Sequence, residues 1–252
     1  MEELLRSEGI PFRFGFLDFP NWTRRVKIDV GLSVNAPHSQ VWLEAQKDLF
    51  VIGFEPVRRN IDNILRGDSP WPINLDPLKV GQRMWIIPCA LGNSSGQEVK
   101  MYITANDPGC SSILLPRTFE VQESITTQMW RLSDLLAYFP WERLSLIEHL
   151  KIDVQGMDYE VLLGTKEYLN RILFITVEVD TLEYLNTTNS LYSISSLLKE
   201  HGFIRIPKNR ILKRIWQILN PNFVVSVKDP TFFNYRLWRR SRYHDAYIYQ
   251  ET

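Results

Sequence analysis

Arg25-Val26-Lys27-Ile28-Asp29-Val30-Gly31-Leu32-Ser33-Val34-Asn35-Ala36-Pro37 is the stretch whose reading decides the fold. Its first six residues make a run of strand length, and the small and polar residues around Gly31 make a turn. Pro37 suits the first position of a helix to about Asp48, because the N–H that proline lacks has no partner there anyway. A strand that ends in an acid and turns straight into a helix is half of a βαβ unit. The pattern then repeats: Leu49 to Phe54 is a second strand finishing in Glu55-Pro56, and Val57 to Leu65 is its helix, stopped by Gly67 and Pro70. Residues 66–82 read as loop and Arg83 to Leu91 as the third strand.

Further along, Leu132 to Leu136 is a short helix and Ile147 to Val154 a strand whose carboxyl end reads Lys151-Ile152-Asp153-Val154-Gln155-Gly156. Asp158 to Leu169 is helical in period, Arg171 to Asp180 is a buried strand ending in acids, Leu191 to His201 a helix closed by Gly202, Phe203 to Pro207 a strand, and His244 to Gln250 the final strand. This alternation predicts an α/β fold: a mostly parallel seven-stranded sheet with helices on both faces and an antiparallel last strand. One domain over 1–252 is the economical reading, with an N-terminal extension at 1–24, an irregular insertion at 92–130 in which Gln97 to Thr104 alternates like a hairpin arm, and a basic, aromatic insert at 208–243.

Composition narrows the function. With 44% hydrophobic and 23% charged residues among 252, the chain is globular rather than disordered or fibrous. Twenty-nine basic and 29 acidic residues cancel, so the whole-chain charge argues for neither nucleic acid nor membrane. Two cysteines supply neither a disulfide framework nor a zinc site, no window is apolar enough for a transmembrane segment, and the acidic N-terminus is no signal peptide; a cytoplasmic protein is expected. The neutrality conceals an asymmetry, since residues 205–252 carry ten Lys or Arg against three acids. Six aromatics interleave with arginines between Lys208 and Tyr243, a composition that suits an acidic glycan, a nucleic-acid backbone, an anionic membrane surface, or an amphipathic helix packed on the sheet.

The chemistry sits at strand ends, where α/β proteins bind nucleotide-like ligands. Only Gly31 of the first turn is glycine, with Ser33 and Asn35 where a pyrophosphate-binding loop would have more, so a ligand without phosphates fits better. Glu55, 26 residues after Asp29, is placed to accept hydrogen bonds from both ribose hydroxyls of an adenosine; ordinary loop acids are the alternative. Asp153, at the end of the fourth strand, has Glu178 and Asp180 on the strand beside it. Together they offer a base or a Mg²⁺ site, and capping of the next helix is the competing role for Asp153. His38 lies near the turn and is a second candidate base, whereas His149, inside a strand, reads as a packed structural histidine. Lys151 alternates with Asp153 on one strand face and either pairs with it or orients a substrate; Ser111 and Ser112 belong to a loop that can line a substrate mouth.

Lys27-Ile28-Asp29-Val30-Gly31, Gly53-Phe54-Glu55-Pro56 and Leu150-Lys151-Ile152-Asp153-Val154-Gln155-Gly156, in that order, resemble the FkbM family of S-adenosylmethionine-dependent methyltransferases. The likeness continues through Ala90-Leu91-Gly92, Ser111 to Leu115, Val161-Leu162-Leu163-Gly164 and Val177-Glu178-Val179. The chain departs from the family pattern at Ser33 and Asn35-Ala36-Pro37, at Gln155 and at Asp158, the last two standing where Glu is common. The resemblance implies a Rossmann-like class I methyltransferase fold with S-adenosylmethionine as cofactor. It also implies that Asp29, Gly31, Ser33 and Asn35 form the cofactor turn near the methionine, that Glu55 and Pro56 lie at the ribose, Ala90 near the adenine and Asp153 near the methyl. The activity it implies is O-methylation of a sugar, glycan or polyketide-like hydroxyl, with Asp153, Glu178 and His38 as candidate catalytic residues and Ser111, Ser112, Lys151 and Asp180 facing the acceptor. A nucleic-acid methyltransferase, resting on the basic tail, and a non-catalytic binding module, resting on the altered turn, are the competing classes.

Overall fold

The computed structural model describes residues 1–105, 107–179, 183–206 and 229–240. In chain order the strands are β1 (Phe12–Arg13), β2 (Phe16–Leu17), β3 (Arg25–Val30), β4 (Leu49–Phe54), β5 (Met84–Ile87), β6 (Ala90–Leu91), β7 (Gln97–Thr104), β8 (Val121–Trp130), β9 (Ile147–Ile152), β10 (Ile172–Val177), β11 (Phe203–Arg205) and β12 (Thr231–Asn234). The helices are α1 (Glu2–Ser7), α2 (Pro37–Ala45), α3 (Arg58–Arg66), α4 (Leu132–Leu136), α5 (Asp158–Leu163), α6 (Leu191–Glu200) and α7 (Tyr235–Arg240).

Seven strands form the main sheet in the order β11-β12-β10-β9-β3-β4-β5. The pairs from β10 through β5 are parallel, and β12 runs antiparallel to both β10 and β11. This is the Rossmann-like α/β arrangement expected, with the strand order reversing direction across β3 and β9. Every residue of β4, β9 and β10 is buried, as two helix-covered faces demand, so these segments read as near-continuous apolar runs. The N-terminal extension belongs to the same core: Leu5, Ile10, Leu17 and Phe19 pack with Val26, Phe50 and Trp85.

Three expectations are corrected. The seventh strand is Thr231–Asn234, inside the stretch read as a basic insert; Phe232 and Phe233 are core residues, and 244–250 lie outside the described residues. The hairpin arm at Gln97 to Thr104 is β7, but the rest of the 92–130 stretch is not simply irregular, because β8 pairs antiparallel with β7 and β6 joins the far edge of β8. Its long strand leaves little sequence signal because half of β8's residues are exposed and only two are buried, so Gln, Glu, Ser and Thr fill it and no apolar alternation shows. The helix expected over 158–169 stops at Leu163: a Cβ at Gly164 would sit 2.0 Å from the Gly92 carbonyl oxygen, a backbone approach only glycine permits, and a 3₁₀ segment follows.

Candidate active site

The carboxyl ends of β3, β4 and β9 open into one cleft of about 410 Å³. Its position follows from the sheet, whose neighbouring strand ends diverge into helices on either side where the order reverses. The close approach that shapes it is at Gly31, with φ +84°: a Cβ there would lie 1.9 Å from the Asp153 carbonyl oxygen, so a side chain would push β3 away from the turn after β9. Ser33 and Ala36 also take positive φ, and the turn is braced from outside, Asn35 donating to the Ile73 carbonyl at 2.8 Å and accepting at its own carbonyl from Leu75 N at 2.9 Å. That brace sets Trp71, Pro72 and Ile73 as one wall of the cleft.

Glu55 lies at one end. Its Oε1 accepts from Val57 N at 3.0 Å and from Asn60 Nδ2 at 3.1 Å, and burial pushes its carboxyl up to about 7 against those bonds and the backbone of Ser33. Beside it Phe54, Pro56, Ala90, Leu91 and Met101 line the cleft with apolar surface. Asn60 carries no motif of its own; its place in the first turn of α3, five residues after Glu55, is the only signal that could have found it.

A buried cation stands at the other end. Lys151 Nζ lies 3.3 Å from Asp29 Oδ1 and 3.4 Å from Asp153 Oδ2, and donates to the Gly31 carbonyl at 2.9 Å. Burial opposes its charge, but the Asp153 and Asp29 carboxylates outweigh that and hold it above the ordinary lysine range. Asp29 is closed off by this pair and by Ser39 Oγ at 2.6 Å. Burial likewise opposes the charge on Asp153, and Lys151, Gln155 and Glu178 overcome it, leaving its carboxyl below the usual range. Its side chain keeps 36% exposure, so this carboxylate opens to the cleft. It does not cap the next helix, whose N-cap is Met157.

Behind Asp153 is an arrangement the sequence did not announce. Gln155 Nε2 donates to Asp153 Oδ1 and to Glu178 Oε2, each at 2.7 Å, while the Tyr184 hydroxyl lies 2.7 Å from Gln155 Oε1 and 2.9 Å from the Cys110 carbonyl oxygen. Glu178 is pushed up to about 9 by burial and by the charges of Asp153 and Asp158. Asp158, fully buried, accepts from Glu178 N at 2.9 Å and is itself pushed up to about 7 by burial and by Asp153.

The cleft thus brings together Gly31, Ser33, Asn35, His38, Glu55, Pro56, Ala90, Ser111, Ser112, Lys151 and Asp153. Asp29 and Glu178 stand behind it, each reaching it through a neighbour, Lys151 or Gln155. Asp180 lies outside the described residues, as does 207–228, most of the basic insert. Ser112 lines the cleft, but its hydroxyl donates to the Gln155 carbonyl at 2.7 Å, and Ser111 Oγ accepts from Thr104 N at 3.2 Å. His149 is packed against Trp42 and bonded to Thr176 Oγ1 at 2.8 Å, and burial lowers it well below the usual histidine range. The residues do not fit the Mg²⁺ site considered for Asp153 and Glu178, because an amide N–H group occupies the place between them and Lys151 takes the other Asp153 oxygen. Among the described residues no group of three or more His, Cys, Asp or Glu is placed to hold a metal.

The profile of the methyltransferase FkbM domain matches residues 43–205, more than half of the chain. The chain belongs to the FkbM methyltransferase family. A search of curated proteins returned no match. Among solved structures, one described as the structure of an antibiotic related methyltransferase aligns over 92% of this chain and 90% of its own, at 12% identity and a TM-score of 0.29. Methyl transfer is therefore the activity of this FkbM-family chain, and among its described residues no helix is long and apolar enough to cross a membrane.

Proposed function

We propose that this FkbM-family methyltransferase uses S-adenosylmethionine to methylate a hydroxyl of a sugar, glycan or polyketide-like small molecule, with Asp153 as general base. The observation that carries this reading is the position of Asp153: a carboxylate held ionised by Lys151 and Gln155, yet open to a cleft whose other end is Glu55. The donor set suits the cofactor. Glu55, acceptor-only once ionised, matches a pair of ribose hydroxyls, the Phe54, Pro56, Ala90, Leu91 and Met101 surface matches a purine, and the Gly31, Ser33 and Asn35 turn lines the cleft where the methionine chain would lie. Bound there, S-adenosylmethionine would supply an electrophilic methyl on a positively charged sulfur, the methyl carbon bonding to the acceptor oxygen as its bond to sulfur breaks.

The protein's own part is to hold and to deprotonate. Positioning of the acceptor hydroxyl against the methyl carbon supplies most of the acceleration, and Asp153 takes the hydroxyl proton as the oxygen loses it. Lys151 keeps that carboxylate from protonating in the free enzyme and ties it to β3, so the base and the cofactor turn share one rigid strand pair. Trp71, 52% exposed on the braced loop, gives the cleft an aromatic face on which a sugar ring can rest. Incubation with methyl-labelled S-adenosylmethionine and a panel of free sugars, oligosaccharides, hydroxylated polyketides and RNA tests the reading. Label in ether linkage on a hydroxyl compound is expected; label on RNA or on an amine alone contradicts it.

A further inference from the structure

We propose that Gln155 is a positioning residue for the base: its carboxamide ties Asp153 to Glu178 so that the two carboxyls hold one proton between them, which leaves the cleft-facing Asp153 oxygen ionised and fixed in direction. The proposal rests on the reading of Asp153 as base.

The geometry is specific to an amide. One nitrogen stands 2.7 Å from an oxygen of each carboxyl, so each of its two N–H groups serves one acid. The orientation is set by the two acids, whose oxygens at 2.7 Å need the N–H side of the amide, which leaves Gln155 Oε1 turned toward the Tyr184 hydroxyl. The backbone is committed too: Gln155 sits at φ +55°, a conformation that costs a non-glycine residue about 1 kcal/mol, and Ser112 Oγ holds its carbonyl in place. Glu178 is anchored from behind, its N–H by Asp158 and its carbonyl by Asn189 Nδ2 at 2.9 Å. Two carboxylates gathered on one nitrogen in a buried site do not both stay ionised, so one proton remains with the pair. It goes to the carboxyl farther from Lys151, which is Glu178.

Among the described residues, the charged and titratable groups around the pair are Lys151 on β9, Asp29 on β3 acting through Lys151, Asp158 on α5, Cys110 and Asp107 from the turn after β7, Tyr184 and Glu183, and Asp229 before β12. Lys151 is the one cation among them, and it sits on the Asp153 side.

The test uses the full chain with ¹³C-labelled Asp and Glu carboxyls, titrated by NMR, together with calorimetry of S-adenosylhomocysteine binding. The Asp153–Glu178 pair of the wild type is expected to show two separated steps, one complete well below neutrality and the other near pH 9. Gln155→Gly removes the amide and relieves the positive φ; the lower step moves up by about one pH unit or more as the ionised acid loses a donor, with S-adenosylhomocysteine affinity within about threefold of wild type. Tyr184→Phe, which leaves the amide unanchored, moves the same step in the same direction by less and decides the matter should Gln155→Gly not fold. A lower melting temperature with an unmoved lower step in the folded variant overturns the proposal, because a merely structural glutamine predicts that result. The titration needs no acceptor, so it separates this proposal from the functional reading. Expected titration shifts without methyl transfer to any hydroxyl overturn only the choice of Asp153 as base, whereas unmoved steps with transfer intact overturn only the tie.

Discussion

Two lysines cross the same pair of strands and meet opposite fates. Lys27 on β3 faces His149 on β9 in the sheet register, and two residues along, Asp29 on β3 faces Lys151 on β9. Lys27 pairs with Glu148 at 3.2 Å, under the Trp42 ring of α2, and Arg25 and Gln46 also bind the acid. Both members of that pair are closed off, and burial lowers Lys27 from the ordinary lysine range although Glu148 works against it. Lys151 is as deeply buried, but two carboxylates outweigh burial, and one of them opens to the cleft. A buried ion pair by itself is therefore no sign of a site; what marks the second is an acid that the pair leaves facing solvent-filled space.

The largest effect expected separates the two arrangements directly. Asp153→Asn should slow methyl transfer by about 100-fold or more, the usual worth of a general base, with the fold kept. Glu148→Gln, in the closed arrangement, should leave turnover within about twofold and instead cost stability, about 3 kcal/mol where a buried cation loses its acid. Rates and urea melts on the two variants check both, and equal loss of turnover breaks the comparison.

Next comes Glu55. Glu55→Gln should weaken S-adenosylhomocysteine binding by about 10- to 100-fold, since bonds to a charged acceptor are worth about 1.5–3 kcal/mol. Because ribose hydroxyls favour the ionised acid and Glu55 holds its proton up to about 7, wild-type affinity should rise between pH 6 and 8, with proton release on binding below pH 7. Calorimetry in two buffers reads both, and an affinity flat across that range removes Glu55 from the ligand.

The last effect is on stability. Glu55 and Asp158 at about 7 and Glu178 at about 9 are raised in the folded state above the ordinary carboxyl value of about 4, so what they contribute is full below that value and is lost as pH climbs, by about 7 for Glu55 and Asp158 and by about 9 for Glu178. The ligand-free protein should therefore melt about ten degrees or more lower at pH 9 than at pH 6, by the usual scale of about 2–4 °C per kcal/mol. A melting temperature that rises over this range contradicts the buried acids.

The sequence made the sheet legible where burial on both faces leaves an apolar run, as in β4, β9 and β10, and where a strand ends in a carboxylate, as at Asp29, Glu55 and Asp153. It hid β8, whose exposed face is polar, and β12, whose four residues sit among arginines that masked two core phenylalanines. Within the site, motif spacing reached the residues on strand ends. It missed Tyr184, which meets Gln155 from 29 positions away through tertiary packing alone, and it treated Gln155 as a lost acid, when its two N–H groups are what two acids can share.

The central claim, that the cleft between Glu55 and Asp153 receives the cofactor with its reactive end at Asp153, is tested most directly by a crystal structure of the chain with S-adenosylhomocysteine. The account predicts both ribose hydroxyls on Glu55 and the sulfur turned toward the Asp153 carboxylate; a ligand lying elsewhere, or one in the cleft with its sulfur directed away from Asp153, contradicts it.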